Sequence, residues 1–446
     1  MSNSRMTSIG VGRIVTRHAP WARWTAAIAS VVACVACGPE EATQSPHDGT
    51  TTSDATTDVQ TSTGEAHATG DTGTETAVQT GEPDDGSGTT GTVEESRLPL
   101  VIVGGALAES NDAVHDAVLD RRQGAGPLCI LPTASESPEA SMETMVGRFD
   151  ERGGAGTALG VLLTVDDPER AFEPEVVRTL EGCSGFFFTG GLQSRITAVL
   201  RPEGVTTPAL DAIHQRHFEG AVVSGSSAGA AIMSDPMISG GNSAAAMDHG
   251  TEPGGVRIRD GLGFFEHGIV DQHFLARGRI GRLLVATIEV AEFDLGFGID
   301  ENTALVVDGD VASVVGASGV VIVDTTNAVS DGSGSVTDVR LNLVGDGDEY
   351  DLKRRQSSVD PNKLKLEEDG GTVPVPSNIF ASWVLLHLLV DLSRSGDSEI
   401  VVPAGEHHLT FRKAPGFAAS RHAGEGVQGT PAGLTLGPVL VDVHRG

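Results

Sequence analysis

The fold is decided by one stretch near the middle of the chain, where a run of apolar residues leads into a turn of glycine and serine. This stretch is Gly220-Ala221-Val222-Val223-Ser224-Gly225-Ser226-Ser227-Ala228-Gly229-Ala230. The apolar part predicts a buried strand, and the small residues after Ser227 predict a helix. G-x-S-x-G at such a junction is typical of a nucleophile elbow, which projects a serine hydroxyl from the sheet. An ordinary glycine and serine turn before a helix remains the alternative.

Apolar runs alternate with helical stretches on both sides of this junction. We predict strands over 98–105, 128–131, 159–165, 185–189 and 220–224, and helices over 173–181, 208–218 and 228–233. This alternation predicts an α/β fold with a mostly parallel open sheet flanked by helices. Because open sheets bind ligands at the carboxyl ends of their strands, the glycine pair after strand 185–189 and Ser227 are expected at the functional edge.

The composition excludes several classes of partner and cofactor. The 446 residues include 61 acidic against 30 basic side chains, a net charge of -31, which disfavours binding to nucleic acid. We find no phosphate loop, dinucleotide fingerprint or metal-ligand spacing, so neither a metal nor a cofactor is expected. Cys129 and Cys183 lie in or beside apolar runs, and we expect them to be buried free thiols.

The first 97 residues are expected to be a leader and a linker. Residues 1–37 predict a signal peptide with a lipobox, in which Cys34 or Cys37 becomes the lipidated N-terminus. An ordinary cleaved signal peptide is the alternative. Residues 38–97 predict a disordered acidic tether rich in Thr and Gly. We therefore expect an exported bacterial lipoprotein (outer membrane or cell surface) or a secreted protein, which contacts membrane only through a lipid anchor.

The remainder is predicted to be one catalytic domain over 98–355 and a C-terminal extension over 356–446, packed on that domain or partly loop. Within this part, 336–344 alternates like an edge strand, and 379–392 predicts a buried helix. The sequence leaves a homodimer open.

Three further motifs contain residue types that a serine nucleophile needs around it. Phe188-Thr189-Gly190-Gly191-Leu192-Gln193 ends a strand in two glycines, whose backbone N–H groups would suit an oxyanion, although an ordinary turn explains it equally. The second motif is Asp271-Gln272-His273, in which His273 can act as a base. Three arginines follow it, Arg277, Arg279 and Arg282, and they would suit an anionic substrate. Asp300-Glu301 supplies an acid to orient the histidine, or is an acidic surface turn.

Taken together, these motifs resemble the cyanophycinases, serine peptidases of flavodoxin-like fold, also described as class I glutamine-amidotransferase-like, that are related to α-aspartyl dipeptidases. The resemblance covers about 98–324 and continues through 335–352. It implies a nucleophile at Ser227, a base at His273 and an orienting acid at Glu301, with Asp300 the less favoured acid. It also implies an oxyanion hole from the N–H groups of Gly191 and Ala228.

The resemblance further implies a substrate and the residues that bind it. The substrate would be cyanophycin, a poly-aspartate with arginine on each β-carboxyl, cut to β-Asp-Arg dipeptides. The residues implied to line the pocket are Gln193, Asp271, Gln272, Arg277, Arg279 and Arg282. Leu192 departs from the acid that the family commonly has there, which puts the exact substrate in doubt. An α-aspartyl or isoaspartyl dipeptidase, an esterase and a catalytically inactive surface binding lipoprotein are the rivals.

Overall fold

The computed structural model describes residues 98–446. The signal peptide, the lipidated Cys34 or Cys37 and the acidic tether predicted for residues 1–97 lie outside that part. The α-helices within 98–446 are α1 Asp112–Leu119, α2 Pro138–Gly153, α3 Pro174–Glu181, α4 Gln193–Leu200, α5 Pro208–Phe218, α6 Ala228–Ala231, α7 Ser243–His249, α8 Ile280–Glu289 and α9 Val384–Arg394. The strands are β1 Leu100–Val103, β2 Leu128–Leu131, β3 Ala158–Gly160, β4 Gly185–Phe188, β5 Val222–Ser226, β6 Met237–Gly240, β7 Arg257–Arg259, β8 Ile269–Asp271, β9 Leu295–Ile299, β10 Thr303–Asp308, β11 Val311–Gly316, β12 Gly319–Asp324, β13 Val329–Ser330, β14 Val336–Gly345, β15 Glu349–Asp351, β16 Gln356–Ser358, β17 Leu364–Lys365, β18 Glu399–Ala404, β19 His407–Arg421 and β20 Thr435–His444.

The first sheet carries the predicted elbow and has the order β16-β15-β11-β10-β1-β5-β4-β2-β3. The five neighbouring strands β1, β5, β4, β2 and β3 pair in parallel. Beyond β1, the strands β10, β11, β15 and β16 extend the sheet in antiparallel pairs. Helices α1 and α2 cover one face, and α3, α4 and α5 cover the other. The prediction of an α/β fold with an open, mostly parallel sheet flanked by helices is confirmed.

The second sheet is largely antiparallel and was not predicted from the sequence. Its order is β17-β19-β20-β14-β12-β9-β8, and only β8 and β9 run parallel. Helices α7, α8 and α9 contribute apolar side chains to the core beside it. The helix predicted over 379–392 is confirmed as α9, which begins at Val384.

Two strand predictions need correction. The run 336–344 is not an edge strand, because β14 pairs with β12 on one side and with β20 on the other. Its partner β20 begins only at Thr435, near the end of the chain, so local alternation could not reveal it. The strand expected over 159–165 ends at Gly160, because the chain leaves the edge of the first sheet there.

The free thiols expected at Cys129 and Cys183 are also wrong, since the two cysteines form a disulfide. Cys129 lies on β2 and Cys183 lies just before β4, and both are fully buried. Because β2 and β4 are neighbours in the sheet, the Cα atoms come within 5.8 Å, a normal spacing for a disulfide. The bond therefore joins β2 to the segment that leads into the neighbouring parallel strand β4.

The turn Asp300-Glu301-Asn302 connects the two sheets. Strand β9 ends at Ile299 in the second sheet, and β10 begins at Thr303 in the first. The N–H of Asn302 donates to the carbonyl of Gly105, 2.8 Å away, which fixes the turn beside the loop that follows β1. Among residues 98–446, no helix has the length and apolarity needed to cross a bilayer.

Candidate active site

Ser227 stands at the sharp turn between β5 and α6. Its backbone has φ 56 and ψ -105, a conformation that few residues other than glycine adopt, and its N–H donates to the carbonyl of Val103 at 3.0 Å. Close backbone approach explains the flanking glycines: a Cβ on Gly225 would lie 2.5 Å from the carbonyl oxygen of Gly229. The sequence therefore folds locally into the strained elbow that the motif predicts, and the hydroxyl is presented at the end of the strand.

His273 bridges Ser227 and Glu301. Its Nε2 lies 2.8 Å from the Ser227 hydroxyl oxygen, and its Nδ1 lies 2.6 Å from Glu301 Oε1. With Nδ1–H donating to the carboxylate, Nε2 carries the lone pair that accepts the serine proton. Gly105 leaves the room for this ring, because a Cβ there would lie 2.3 Å from His273 Cε1. The three side chains therefore have the connectivity of a Ser-His-acid triad.

The surroundings of His273 keep its imidazole neutral. Burial is the largest influence and lowers its pKa from 6.5, the hydrogen bond to Glu301 acts in the opposite direction, and the charge of Arg277 lowers the pKa further. At neutral pH the ring is thus in the form that can accept a proton. This is the protonation state that a general base requires.

Asp300, the alternative acid, has hydrogen-bond partners other than the His273 ring. Its carboxylate accepts hydrogen bonds from the N–H groups of Leu275 and Ala276, at 3.1 and 3.0 Å, and from the hydroxyl of Ser318 at 2.7 Å. The side chain is fully buried, and this burial raises the pKa of Asp300 to about 6. Asp300 therefore shapes the loop after His273, a role that sequence reasoning missed.

The predicted oxyanion donors flank the serine. Ala228 is the first residue of α6, so its N–H has no partner within the helix and points from the helix start. Gly191 has φ 142, and a Cβ on it would lie 2.0 Å from the carbonyl oxygen of Ala134. Its neighbour Gly190 lies so close to Ser227 that a Cβ there would be 3.9 Å from the serine hydroxyl oxygen. The turn after β4 and the start of α6 thus come together around the hydroxyl.

Two of the predicted substrate-binding residues form a buried ion pair. Arg282 donates from Nε to Asp271 Oδ2 at 2.7 Å and from Nη2 to Oδ1, and both side chains are almost fully buried. The charge of Arg282 holds the pKa of Asp271 below its ordinary value, against the effect of burial. Because each charge is satisfied by the other, this arrangement suits the support of the His273 segment better than contact with a ligand.

Arg279 and Gln272 extend this network. Arg279 Nη1 donates to the side-chain oxygen of Gln272 at 2.7 Å and to the Gln272 carbonyl at 2.5 Å. Burial lowers the pKa of Arg279 to about 10, so its guanidinium remains charged at neutral pH.

Arg277 is different, since its side chain is 53% exposed while its Nε lies 4.0 Å from Glu301 Oε1. Of the three predicted arginines, Arg277 is the one open to solvent beside the triad.

Gln193 and Leu192 lie at the start of α4, directly after the glycine turn that contacts Ser227. The amide nitrogen of Gln193 donates to the carbonyl of Ile238 at 3.1 Å, and the side chain of Leu192 is half exposed. His267, which precedes the Asp271-Gln272-His273 motif, lines a separate cavity with Leu98 and Asp310 near the start of β1. Residues 98–446 contain no group of three or more His, Cys, Asp or Glu side chains placed to hold a metal ion.

The sequence is similar to that of known peptidases. The sequence model of Peptidase family S51 matches residues 100–315. A cyanophycinase of Nostoc sp. is 34% identical over 280 residues, which is 59% of this chain and 89% of that protein. A cyanophycinase of Geminocystis herdmanii is 33% identical over 276 residues, 58% of this chain and 96% of that protein. Among solved structures, a peptidase from an acI-B1 actinobacterium matches with a TM-score of 0.38 and 22% identity, over 50% of this chain and 88% of that one.

Proposed function

The chain belongs to peptidase family S51 and to the cyanophycinases within it, and from this premise we propose that it degrades cyanophycin by attack of Ser227 on the polymer backbone. Membership makes it a serine-type peptidase. The observation that carries the proposal is the continuous hydrogen-bonded path from the Ser227 hydroxyl through His273 to Glu301.

The reaction proceeds in two halves. In the first, His273 Nε2 takes the proton of Ser227 as the hydroxyl oxygen attacks the amide carbonyl, and Glu301 stabilises the imidazolium that forms. The N–H groups of Gly191 and Ala228 bind the oxyanion. The amide C–N bond then breaks, and His273 returns the proton to the leaving amine.

In the second half, water attacks the acyl-enzyme, with His273 again as base, and restores the free serine. The products of repeated cycles are β-Asp-Arg dipeptides.

The substrate assignment is supported by the relatives and by the charge around the triad. Cyanophycin offers one carboxylate and one guanidinium on each arginine branch, and Arg277 is an exposed cation beside Glu301 that suits the carboxylate. Gln193, Gln272 and Arg279 complete the proposed pocket. Asp271 and Arg282 are assigned to positioning His273, because their charges are already paired.

We also propose that the protein acts outside the cytoplasm. The predicted lipobox at Cys34 or Cys37 supports export, and so does the Cys129–Cys183 disulfide, because disulfides persist mainly in oxidising compartments. Cell fractionation with an antibody against the chain, and mass analysis of its N-terminus, test this. An uncleaved protein confined to the cytoplasmic fraction would refute it.

The activity is tested with residues 97–446, without the predicted leader and tether, and with insoluble cyanophycin. We expect the parent protein to release β-Asp-Arg, identified by mass, and the Ser227→Ala variant to release none. Cleavage of free aspartyl dipeptides without clearance of the polymer would instead indicate a dipeptidase. Binding to the polymer without release of soluble product would indicate a binding protein that has lost catalysis.

A further inference from the structure

A second cavity opens at the end of β1 that is remote from the triad. Its volume is about 630 Å³, within the range of about 300–1,000 Å³ usual for small-molecule pockets. Its wall includes Leu98 and Leu100 at the start of β1, whereas Gly105, beyond the end of that strand, adjoins the ring of His273. Extended chain rises about 3.3 Å per residue, so the cavity lies roughly 20 Å from the triad. It is therefore separate from the place where the amide bond is cleaved.

The wall of this cavity carries negative charge. Asp211, Glu266 and Asp310 line it, and no lysine or arginine is among its lining residues. Asp310 pairs with Lys353, whereas Asp211 and Glu266 form no ion pair within residues 98–446. Ionised carboxylates only accept hydrogen bonds, so a ligand that matches this wall carries positive charge and hydrogen-bond donors.

His217 adds a buried acceptor to the same wall. Its side chain is only 4% exposed, and its Nδ1 lies 3.0 Å from the carbonyl oxygen of Ala221. Burial lowers the pKa of His217, so the ring is neutral at neutral pH, with the proton on Nδ1 and the lone pair on Nε2. This Nε2 is buried and has no hydrogen-bond partner in the described part of the chain. A buried acceptor without a donor is costly, and an N–H group bound in the cavity would satisfy it.

Aromatic rings make the wall suit a flat cation. His214 stacks on Phe264 with ring centroids 4.4 Å apart, and both residues line the cavity. Phe218, on the same wall, is 68% exposed. A guanidinium is planar, packs on aromatic rings and has five N–H donors for carboxylates and for a neutral imidazole. An ammonium group matches the charge of the wall but not its flat surfaces.

We propose that this cavity binds the guanidinium group of an arginine branch of cyanophycin and so holds the enzyme on the insoluble polymer, apart from the site of cleavage. The polymer has one such branch on every residue, so many copies of the ligand lie near each bound enzyme. A second contact raises the effective concentration of the first, and two weak sites then bind tightly together. The identity of the ligand rests on the proposed function, whereas the recognition of a guanidinium rests on the chemistry of the wall.

The first test measures retention on the polymer. The Ser227→Ala variant, with and without the pair Asp211→Asn and Glu266→Gln, is sedimented with insoluble cyanophycin. We expect the pair to weaken retention at least about tenfold, because the second contact is lost. The matched control is Glu175→Gln with Glu181→Gln, two exposed acids on α3 outside the cavity, which makes the same change of charge and should be retained like the parent protein. Thermal unfolding confirms that each variant is folded.

The same pair is tested for activity with Ser227 intact. The ratio of activity on insoluble polymer to activity on a soluble β-Asp-Arg oligomer should fall about tenfold, because a short oligomer does not span both sites. The control pair on α3 should leave this ratio as it is in the parent protein.

A local measurement separates failure of this inference from failure of the proposed function. The Ser227→Ala variant with isotope-labelled histidine is titrated with Nα-acetyl-arginine amide and with its uncharged counterpart Nα-acetyl-citrulline amide. We expect only the arginine compound to shift the imidazole NMR signals of His214 and His217, and we expect the shifts to disappear in the Asp211→Asn, Glu266→Gln pair. These signals report the cavity and are independent of cleavage.

The outcomes divide clearly. If the parent protein cleaves the polymer and the cavity pair is retained as well as the control pair, docking on the polymer is overturned; shifts of His214 and His217 would then mark a site for a free arginine compound. If the parent protein does not cleave the polymer, the proposed function fails, yet shifts that require Asp211 and Glu266 still uphold recognition of a guanidinium. Equal shifts with the arginine and citrulline compounds, or none with either, overturn that recognition.

Discussion

Substitution of Gly105 by alanine tests whether the position of the His273 ring controls the reaction. The added Cβ would lie 2.3 Å from Cε1 and 2.4 Å from Nε2 of His273. An ordinary contact begins at 3.4 Å, so the ring must retreat by roughly 3.4 − 2.3 = 1.1 Å. A retreat away from Gly105 would stretch the 2.8 Å contact between Nε2 and the Ser227 hydroxyl beyond hydrogen-bond range.

The expected loss of activity follows from this displacement. A misplacement of about 1 Å costs on the order of 100-fold, and loss of general-base assistance costs about 100- to 10,000-fold. We therefore expect kcat/KM for cyanophycin to fall at least about 100-fold in Gly105→Ala. The backbone at Gly105 has φ 109, so the variant should also lose about 1–2 kcal/mol of unfolding free energy.

Gly124→Ala separates backbone strain from displacement of the ring. Gly124 has a similar φ of 90, but a Cβ there would meet nothing within 4 Å. This control should lose comparable stability and keep full activity. The assay is release of soluble β-Asp-Arg from the polymer, with thermal unfolding of both variants measured in parallel. If Gly105→Ala is as active as Gly124→Ala, the argument that His273 is the base in this geometry is refuted.

Three further perturbations have directions set by the structure. Glu301→Gln removes the charge that raises the pKa of His273, so kcat should fall about 100- to 10,000-fold. The acid limb of the pH–rate profile should also move to lower pH. An unmoved limb would contradict the assignment of Glu301 as the partner of His273. Cys129→Ser removes the disulfide with Cys183. The two cysteines are 54 residues apart, so the free energy of unfolding in urea should fall by about 4 kcal/mol, and an unchanged midpoint would argue against the bond. Asp300 has a raised pKa in the folded protein, so it binds its proton more tightly there than in the unfolded chain, and wild-type stability should fall as pH rises from about 4 to 6. Asp300→Asn should abolish that slope, and a slope that persists would place its origin elsewhere.

The candidate site was largely predictable because its chemistry lies in short motifs. Ser227 and its glycines are neighbours in sequence, and the elbow they form follows from local backbone geometry. Glu301 and Asp300 could not be ranked by the same reasoning, since they are adjacent and chemically alike. Only the tertiary structure shows that Asp300 is occupied by backbone N–H groups while Glu301 reaches the imidazole.

The parts that were missed depend on contacts distant in sequence. The alternation over 336–344 predicts an edge strand, because the partner of β14, β20, lies near the end of the chain in a region without a motif. The disulfide required knowledge that β2 and β4 are neighbours in the sheet. Arg282 was expected to bind substrate because arginines near a histidine suit anions. In the structure this side chain pairs with the buried Asp271, and no spacing rule in the sequence reveals that pairing. Its contact with substrate stays a prediction.

The crossing of the chain between the two sheets at Asp300-Glu301-Asn302 limits how this enzyme can be divided or recombined. The strand that leads to the turn, β9, has β8 and β12 as its neighbours, and β12 lies beyond the last residue of the family match at 315. β12 in turn pairs with β14, which pairs with β20 near the C-terminus. A chimaera that joins residues 100–315 to a foreign sequence would leave β9 with one side unpaired. The minimal transferable unit therefore extends to β20, well past the point at which similarity to the family model ends.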